Sequence, residues 1–150
     1  MIQDYKKTDD GYEYEYPRAA MTADAVVLCR QSGEWELLLI KRGNEPYKDC
    51  WALPGGFLNM DETLEDCARR ELEEETTMKY GSMQFVGLYD KPCRDPRGRV
   101  ITAAFLAVLD SKPPIRASDD AAQARWWKLA ELPELAFDHD KIITDAAKML

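Results

Sequence analysis

The chain has 150 residues, of which 45% are hydrophobic, 32% charged and 10% aromatic, a composition typical of one globular domain. No stretch approaches the roughly 18 apolar residues of a membrane-spanning helix. The first residues also lack the apolar run of a signal peptide, so we expect a cytoplasmic protein with no membrane partner. The net charge of -8, from 28 acidic and 20 basic residues, would repel a nucleic-acid backbone, so no nucleic-acid partner is expected.

Cysteine and histidine are too sparse for a zinc site of ordinary spacing. The chain has four cysteines, none in a CxxC pair, and a single histidine. We therefore expect reduced thiols that act as small buried hydrophobic side chains. They are Cys29, Cys50, Cys67 and Cys93.

The first predicted elements are strands. Residues 1–18 are polar, and tyrosines at positions 12, 14 and 16 alternate with glutamates in the period-two pattern of a strand. This segment is predicted to be an edge strand or a dimer arm. Two apolar runs follow at residues 21–30 and 35–40. The turn residues Gln31-Ser32-Gly33 between them predict a β-hairpin with a buried interior.

A loop at residues 41–50 precedes a short apolar piece at 51–56, which a proline and two glycines end. A helix is predicted over residues 63–77, because Thr63 and Asp66 have the spacing of a capping box. The remaining predicted elements are two strands, a loop, a short strand with two tryptophans and a closing helix, at 85–89, 100–109, 112–122, 124–128 and 138–150. No repeat or domain boundary interrupts the chain, so residues 1–150 are predicted to form a single domain.

The predicted helix at 63–77 carries glutamates where core residues are expected. At about 100° per residue, Glu71, Glu74 and Glu75 are predicted to lie on the same side as Leu64 and Ala68. Two charges about 5 Å apart repel by roughly 3 kcal/mol at an effective dielectric near 20. Protonation, pairing with a cation, or a divalent metal would relieve this repulsion, and oxygen ligands suit Mg²⁺ or Mn²⁺. The alternative is that this end of the helix emerges into water, where the repulsion is small.

A glycine pair precedes this helix. Gly55 and Gly56 have no Cβ, so their backbone can come close to a metal or a phosphate. From Gly56 the chain then reads five residues, Glu62, seven residues, Arg70-Glu71-Leu72, one residue, and Glu74-Glu75. Leu72 fills a position that any aliphatic residue could take, and chance would produce the other six residues on the order of once in ten million starts.

This spacing resembles the Nudix box of the Nudix hydrolases. The family pattern ends in glycine and an aliphatic residue, whereas this chain has Thr77 and Met78. The family glycine suits a left-handed helix end, which a threonine enters only with strain. Outside the box, four segments resemble the ADP-ribose pyrophosphatase branch, at 45–48, 51–57, 94–99 and 135–139.

The resemblance implies an α/β (α+β) fold, a mixed β-sheet sandwiched between α-helices. It also implies hydrolysis of ADP-ribose or a related nucleoside diphosphate sugar to AMP and a sugar phosphate, with Mg²⁺ or Mn²⁺ as cofactor. Glu71 and Glu75 would be the principal metal ligands, and Glu74 a further ligand or a base. The carbonyl of Gly55 would bind the metal, and the backbone of Gly56 would bind substrate. Arg70 would hold the glutamates in place, and Glu62 would have a supporting role.

Substrate handling is less determined by the sequence. Three arginines on a predicted turn either grip phosphate oxygens or are solvated, and these are Arg94, Arg97 and Arg99. Five aromatic residues either stack on adenine or, as we favour, pack in the core or a dimer: Tyr47, Phe57, Tyr89, Trp126 and Trp127. The adjacent tryptophans would face opposite sides of a strand. Asp119 or Asp120 could supply a base from outside the box. His139 is interpreted as a hydrogen-bonding group in preference to an acid or base.

Several alternatives remain open from the sequence. Within the enzyme class, the substrate could be NADH, a dinucleoside polyphosphate or an oxidised nucleoside triphosphate. A sensor that binds ADP-ribose without hydrolysing it is another possibility, although the residues after His139 leave only about one helix for a DNA-binding unit. A purely structural domain is disfavoured, because nothing structural demands the whole spacing. The tyrosine-bearing first strand makes a homodimer the expected oligomer.

Overall fold

The computed structural model describes residues 5–117 and 121–150. Two strands form a small sheet of their own, β1 (Tyr5–Thr8) and β2 (Gly11–Tyr14). A seven-stranded sheet contains β3 (Ala20–Gln31), β4 (Glu34–Arg42), β5 (Trp51–Ala52), β6 (Gly55–Phe57), β7 (Gln84–Tyr89), β8 (Val100–Leu109) and β9 (Ala121–Lys128). The helices of these described ranges are α1 (Leu64–Thr76) and α2 (His139–Ala147).

Strand β3 is the centre of the large sheet. It pairs in parallel with β8 from Ala20 opposite Val100 to Cys29 opposite Leu109. On its other side it pairs antiparallel with β6 near its start and with β4 near its end. Strand β7 lies antiparallel to β8, and β5 and β9 both pair with β4. The sheet is therefore mixed, as predicted.

The sheet lies between the two helices, which confirms the predicted architecture. Because successive strand residues face opposite sides, β3 contributes to two cores. One core contains Cys67, Ala68 and Leu72 of α1, and the other contains Ile142, Ile143 and Ala146 of α2. Trp126 packs against the first core and Trp127 against the second, so the two tryptophans do face opposite sides.

The first tyrosine-rich segment is a hairpin instead of one long strand. Tyr5 pairs with Tyr14 and Thr8 with Gly11, so the chain reverses between them. An acidic pair followed by glycine favours such a turn. The hairpin pairs with itself and does not join the edge of the large sheet.

Two sequence expectations need correction or extension. All four cysteines are free thiols, but only Cys29 and Cys67 are buried, whereas Cys50 is half-buried and Cys93 is exposed because it lies on the turn after β7. Strand β4 continues to Arg42, which was expected in the following loop. Among the described residues, no helix is long and apolar enough to span a membrane.

Helix α1 begins and ends as its sequence predicts. The Thr63 hydroxyl accepts a hydrogen bond from the Asp66 N–H, and the Asp66 carboxylate accepts one from the Thr63 N–H, which completes the capping box. At the other end, Thr77 is left-handed with φ 64°, and its N–H donates to the Glu73 carbonyl at 2.8 Å. A β-branched residue in this conformation is strained.

Replacing Thr77 with Gly is expected to raise the free energy of unfolding by about 1 kcal/mol, because the left-handed conformation no longer opposes a Cβ. The measurement is urea unfolding. Thr77→Ala is the matched control, since it keeps the Cβ and should gain nothing. Equal stability of the two variants would contradict the strain at this residue.

Candidate active site

The most buried glutamate of α1 is Glu75, which is only 9% exposed. Its Oε1 accepts a hydrogen bond from the Gly55 N–H at 2.8 Å, which ties the last turn of α1 to β6. Burial raises the pKa of Glu75 to about 8, the Gly55 N–H opposes this rise, and the nearby charges of Glu71 and Asp24 add to it. A carboxylate in this environment is costly to ionise unless a cation lies close to it.

Glu71 is the second inward-facing glutamate. Its Oε1 accepts a hydrogen bond from Arg70 Nη1 at 2.8 Å. Burial raises the pKa of Glu71, although Arg70 acts in the opposite direction. A Cβ on Gly56 would collide with the Glu71 carboxylate, and one on Gly55 would collide with Asp24 and the Ala23 carbonyl. The two glycines are thus required for the close approach of β6 to α1 and β3.

The prediction that Glu74 lies on the apolar side of α1 is wrong. Its side chain is 57% exposed, and its Oε2 lies 3.1 Å from Arg70 Nη1. Glu74 lies seven residues after the buried Cys67, so helical spacing alone places it at the edge of the apolar stripe, and the rotation of α1 against the sheet turns it towards solvent. Glu74 therefore borders the site from the solvent side.

Arg70 connects these carboxylates. Its Nε and Nη2 donate to the two oxygens of Glu62 at 3.0 and 2.7 Å, and Nη2 also donates to the Phe57 carbonyl at 3.0 Å. Its Nη1 serves the box glutamates described above. The hydrogen bonds from Arg70 lower the pKa of Glu62 to about 2. Glu62 is therefore bound to Arg70 through both of its oxygens, and its supporting role stays a prediction.

The carboxylate oxygens of Glu71 and Glu75 are ligands of a kind that fits a divalent cation. Glu71 and Glu75 approach the same glycine turn, and carboxylate and carbonyl oxygens are the ligands preferred by Mg²⁺ and Mn²⁺. Within residues 5–117 and 121–150, no group of three or more His, Cys, Asp or Glu side chains is placed to hold a metal ion. Mg²⁺ commonly binds through only one or two carboxylates together with substrate phosphates, so the pair is compatible with such an ion.

Two cavities meet at this turn. The larger, about 520 Å³, is lined by the box residues Arg70, Glu71, Glu74 and Glu75. The smaller, about 80 Å³, extends towards Asp24. Both are lined by Arg42, Gly55, Gly56, Phe57, Glu75 and Arg97.

The three predicted phosphate-binding arginines have different environments. Arg94 is buried, and its Nε and Nη2 donate to both oxygens of Asp138 at 2.8 and 2.5 Å. Arg97 pairs with Asp95 at 2.7 Å and lies over the rings of Phe57 and Phe137, within the cleft. Arg99 is exposed and donates to the Asp90 carbonyl. Of the three, Arg97 is the one best placed to meet an anion.

The aromatic candidates are also dispersed. Phe57 lines both cavities, and Tyr47 packs against Phe137 with ring centroids 4.8 Å apart. Tyr89 donates from its hydroxyl to Asp145, away from the box. The tryptophans at 126 and 127 pack in the cores, as favoured.

His139 is buried at the start of α2, and its Nδ1 accepts a hydrogen bond from the Leu53 N–H at 3.0 Å. This contact agrees with its interpretation as a hydrogen-bonding group. Burial lowers the pKa of His139. Asp119 and Asp120 lie outside the described residues.

Two cleft residues, Asp24 and Arg42, were not predicted from the sequence. Asp24 is an acidic residue in the otherwise apolar middle of β3, and such an interruption is a signal that could have been used. Arg42, at the end of β4, donates from Nε to the Pro46 carbonyl and lies over Phe137. Burial and the nearby Arg97 lower the pKa of Arg42, so two guanidinium groups stand close together in the cleft.

Comparison with known proteins gives matches along most of the chain. A family model described as the NUDIX domain matches residues 19–146. The chain is 43% identical over 131 residues to the ADP-ribose pyrophosphatase of Methanocaldococcus jannaschii, a match that covers 87% of this chain and 74% of that protein.

It is also 32% identical over 149 residues to the ADPR responsive transcriptional repressor NtrR of Acinetobacter baylyi. That match covers 97% of this chain but only 57% of the repressor. Among solved structures, the NUDIX domain of Shewanella oneidensis NrtR, complexed with ADP ribose, superposes with a TM-score of 0.84 at 29% identity. The superposition covers 89% of this chain and 90% of that one.

Proposed function

The chain belongs to the NUDIX domain family, and from this premise we propose that it is a pyrophosphohydrolase of ADP-ribose or a related nucleoside diphosphate sugar. The products would be AMP and a sugar phosphate. The observation that carries the proposal is the convergence of Glu71 and Glu75 on the glycine turn, beside a cleft lined by Arg42 and Arg97. The identity to an ADP-ribose pyrophosphatase supports the choice of substrate.

Glu71 and Glu75 are the proposed ligands of the divalent cation, together with the Gly55 carbonyl. A bound Mg²⁺ or Mn²⁺ neutralises diphosphate charge and makes a bound water more acidic. Arg70 donates a hydrogen bond that holds Glu71 in place, whereas Glu75 is held by the hydrogen bond from the Gly55 N–H. Glu74 is proposed as a further ligand or as the base.

The proposed reaction is attack of a water oxygen on one phosphorus of the diphosphate. The bond from that phosphorus to the bridging oxygen breaks, and the proton of the water passes to a carboxylate. Exposed Glu74 borders the larger cavity and can exchange this proton with solvent. Asp120 remains an alternative base predicted from the sequence alone.

Arg42 and Arg97 are proposed to hold the diphosphate. Their guanidinium groups lie over the same ring, that of Phe137, at 5.1 and 5.4 Å from its centroid. Two neighbouring cations repel each other, and a bound diphosphate would offset that repulsion. Arg94 is proposed to position α2, because its Nε and Nη2 donate to Asp138, the residue before this helix.

The test is incubation with ADP-ribose and Mg²⁺ or Mn²⁺, with AMP and ribose phosphate measured and EDTA as the metal-free control. We expect both products in equal amounts, and none with EDTA. NADH, dinucleoside polyphosphates and oxidised nucleoside triphosphates are assayed in parallel. Faster turnover of one of these would replace the proposed substrate, and no turnover of any diphosphate would overturn the enzymatic proposal.

A sensor that binds ADP-ribose without hydrolysing it is the second candidate. It is favoured by the similarity to an ADPR responsive repressor along nearly the whole chain, and by the likeness to a NUDIX domain complexed with ADP ribose. The intact set of box glutamates favours the enzyme instead. Calorimetry together with the AMP assay distinguishes the sensor from the enzyme. A sensor binds ADP-ribose with Mg²⁺ present and releases no AMP.

We also propose a homodimer formed through the β1–β2 hairpin, and a cytoplasmic location, which the four free thiols support. A two-stranded hairpin is at best marginally stable alone, and this one exposes Tyr12 and Tyr14. Light scattering is expected to give twice the mass of one chain. Deleting residues 1–18 should give a monomer, and a monomeric full-length chain would contradict the dimer.

A further inference from the structure

The floor of the smaller cavity combines an acidic and an imidazole side chain. Asp24, from the centre of β3, is 6% exposed, and His139, from the start of α2, is 4% exposed. Both line the cavity that continues from Glu75 and Arg97. Neither side chain has a role in the proposed hydrolysis. Buried polar groups are costly unless they are hydrogen-bonded, so their partners can be accounted for atom by atom.

Among residues 5–117 and 121–150, one oxygen of Asp24 is hydrogen-bonded. Its Oδ2 accepts a hydrogen bond from the Thr102 hydroxyl at 2.6 Å, across the parallel pair of β3 and β8. Its Oδ1 lies 3.8 Å from His139 Nε2, which is too long for a hydrogen bond. The Oδ1 atom therefore keeps the capacity to accept a hydrogen bond at the cavity floor.

The tautomer of His139 follows from its other contact. Nδ1 accepts the Leu53 N–H at 3.0 Å, so Nδ1 carries no proton and the neutral ring has its proton on Nε2. The start of α2 is held in place by the pairing of Arg94 with Asp138, the residue before His139. A fixed donor, Nε2–H, thus stands beside a fixed acceptor, Asp24 Oδ1.

We propose that Asp24 and His139 bind a sugar hydroxyl of the substrate, an inference that rests on the proposed function. A hydroxyl can donate to Asp24 Oδ1 and at the same time accept from His139 Nε2–H. Two atoms 3.8 Å apart can both be within hydrogen-bond distance of one oxygen. The cavity of about 80 Å³ exceeds the space of about 15 Å³ that a water-sized group needs.

The same pair disfavours other groups. A terminal phosphate would meet the Asp24 carboxylate and be repelled, and a cation would meet the Nε2–H of His139. The pair therefore makes the site specific for a diphosphate that carries a hydroxylated sugar, against a nucleoside triphosphate. In this scheme Asp24 and His139 select the substrate, while the box glutamates carry out the reaction.

The test uses ADP-ribose and analogues in which each ribose hydroxyl is removed in turn. For the wild-type protein, binding is measured by calorimetry in EDTA, where no turnover is expected, and kcat/KM is measured from AMP release with Mg²⁺. We expect one analogue to bind about 10- to 100-fold more weakly, the effect of losing a hydrogen bond to a charged group. The ribose that carries this hydroxyl identifies which sugar reaches the floor. Equal binding of all analogues would overturn the proposal.

Asp24→Asn should remove most of this discrimination, because a neutral amide binds a hydroxyl less strongly than a carboxylate. The ratio between two ligands is compared within one variant, so a general loss of activity does not affect it. Thr102→Val is the matched control, since it removes the partner of Oδ2 and leaves Oδ1 free. Thr102→Val should affect the binding of all ligands alike. Unchanged discrimination between the analogues in Asp24→Asn would overturn the proposal.

A spectroscopic measurement needs no variant. His139 is the single histidine of the chain, so the imidazole ¹⁵N and ¹H signals report on it alone. Binding of ADP-ribose should shift the Nε2–H signal, and binding of the discriminated analogue should not. An unshifted Nε2–H signal with ADP-ribose bound would overturn the proposal. If ADP-ribose binds without turnover, the proposed hydrolysis fails while the hydroxyl site is still tested by these shifts.

Discussion

Replacing Glu75 with Gln is expected to lower kcat by about a thousandfold, because it removes the charge of a proposed metal ligand, which would contribute about 4 kcal/mol of transition-state stabilisation. The fold should be retained. The Gln carbonyl can still accept the Gly55 N–H, and the variant no longer buries a carboxylate whose ionisation opposes folding. In EDTA, the thermal unfolding midpoint is therefore expected to equal or exceed that of the wild type.

Glu73→Gln is the matched control for this variant. Glu73 lies on the same helix, but it is exposed and paired only loosely with Lys79 at 3.7 Å. Its replacement is expected to change kcat by less than about twofold, since surface pairs contribute little. Initial rates with ADP-ribose and Mg²⁺ provide the comparison. Wild-type turnover by Glu75→Gln would remove Glu75 from the metal site, and equal losses in both variants would show that helix charge alone matters.

Replacing Arg70 with Ala is expected to lower the free energy of unfolding by about 3 kcal/mol, because it leaves partly buried carboxylates without their cation. Glu62 and Glu71, each mostly buried, would lose their ion-pair partner, and the Phe57 carbonyl would lose a donor. We also expect kcat to fall by about a hundredfold, because Glu71, a proposed metal ligand, is no longer held in place by Arg70. Urea unfolding and initial rates measure the two effects.

The neighbouring Arg69 offers a control of the same residue type. It pairs with the half-exposed Glu65 and Asp66 on the solvent side of α1, so Arg69→Ala should cost no more than about 0.5 kcal/mol and leave kcat unchanged. Arg70→Lys should fall between the wild type and Arg70→Ala, because an ammonium group does not provide the planar fork that binds Glu62. If the two alanine variants were equally stable, Arg70 would not be the centre of the carboxylate network.

The sequence alone was sufficient for features that depend on neighbouring residues. The capping box at Thr63 and the extent of α1 follow from short-range hydrogen bonding and backbone sterics, whereas the left-handed conformation of Thr77 is shown by the structure. The two inward glutamates, Glu71 and Glu75, follow from helical spacing for the same reason. The β3–β4 hairpin was likewise evident from its turn residues.

The assignment of Glu74 to the apolar side failed because the edge of a helical stripe depends on how the helix is rotated against the sheet. That rotation is set by the packing of Cys67, Ala68 and Leu72. The environment of Arg94 likewise depends on a residue far away in the sequence. Arg94 and its partner Asp138 are 44 positions apart, so no local pattern shows that this arginine is already bound.

The amino-acid sequence by itself determined the family, the helix with its carboxylates and the glycine turn before it, since spacing along one helix and one turn specifies their chemistry. Only the tertiary structure decided which side chains meet in the cleft. Leu53 and His139 are 86 positions apart, and Asp24 faces His139 because the register of β3 and the docking of α2 bring them together. Such contacts arise from the packing of both faces of one sheet, which no single segment encodes.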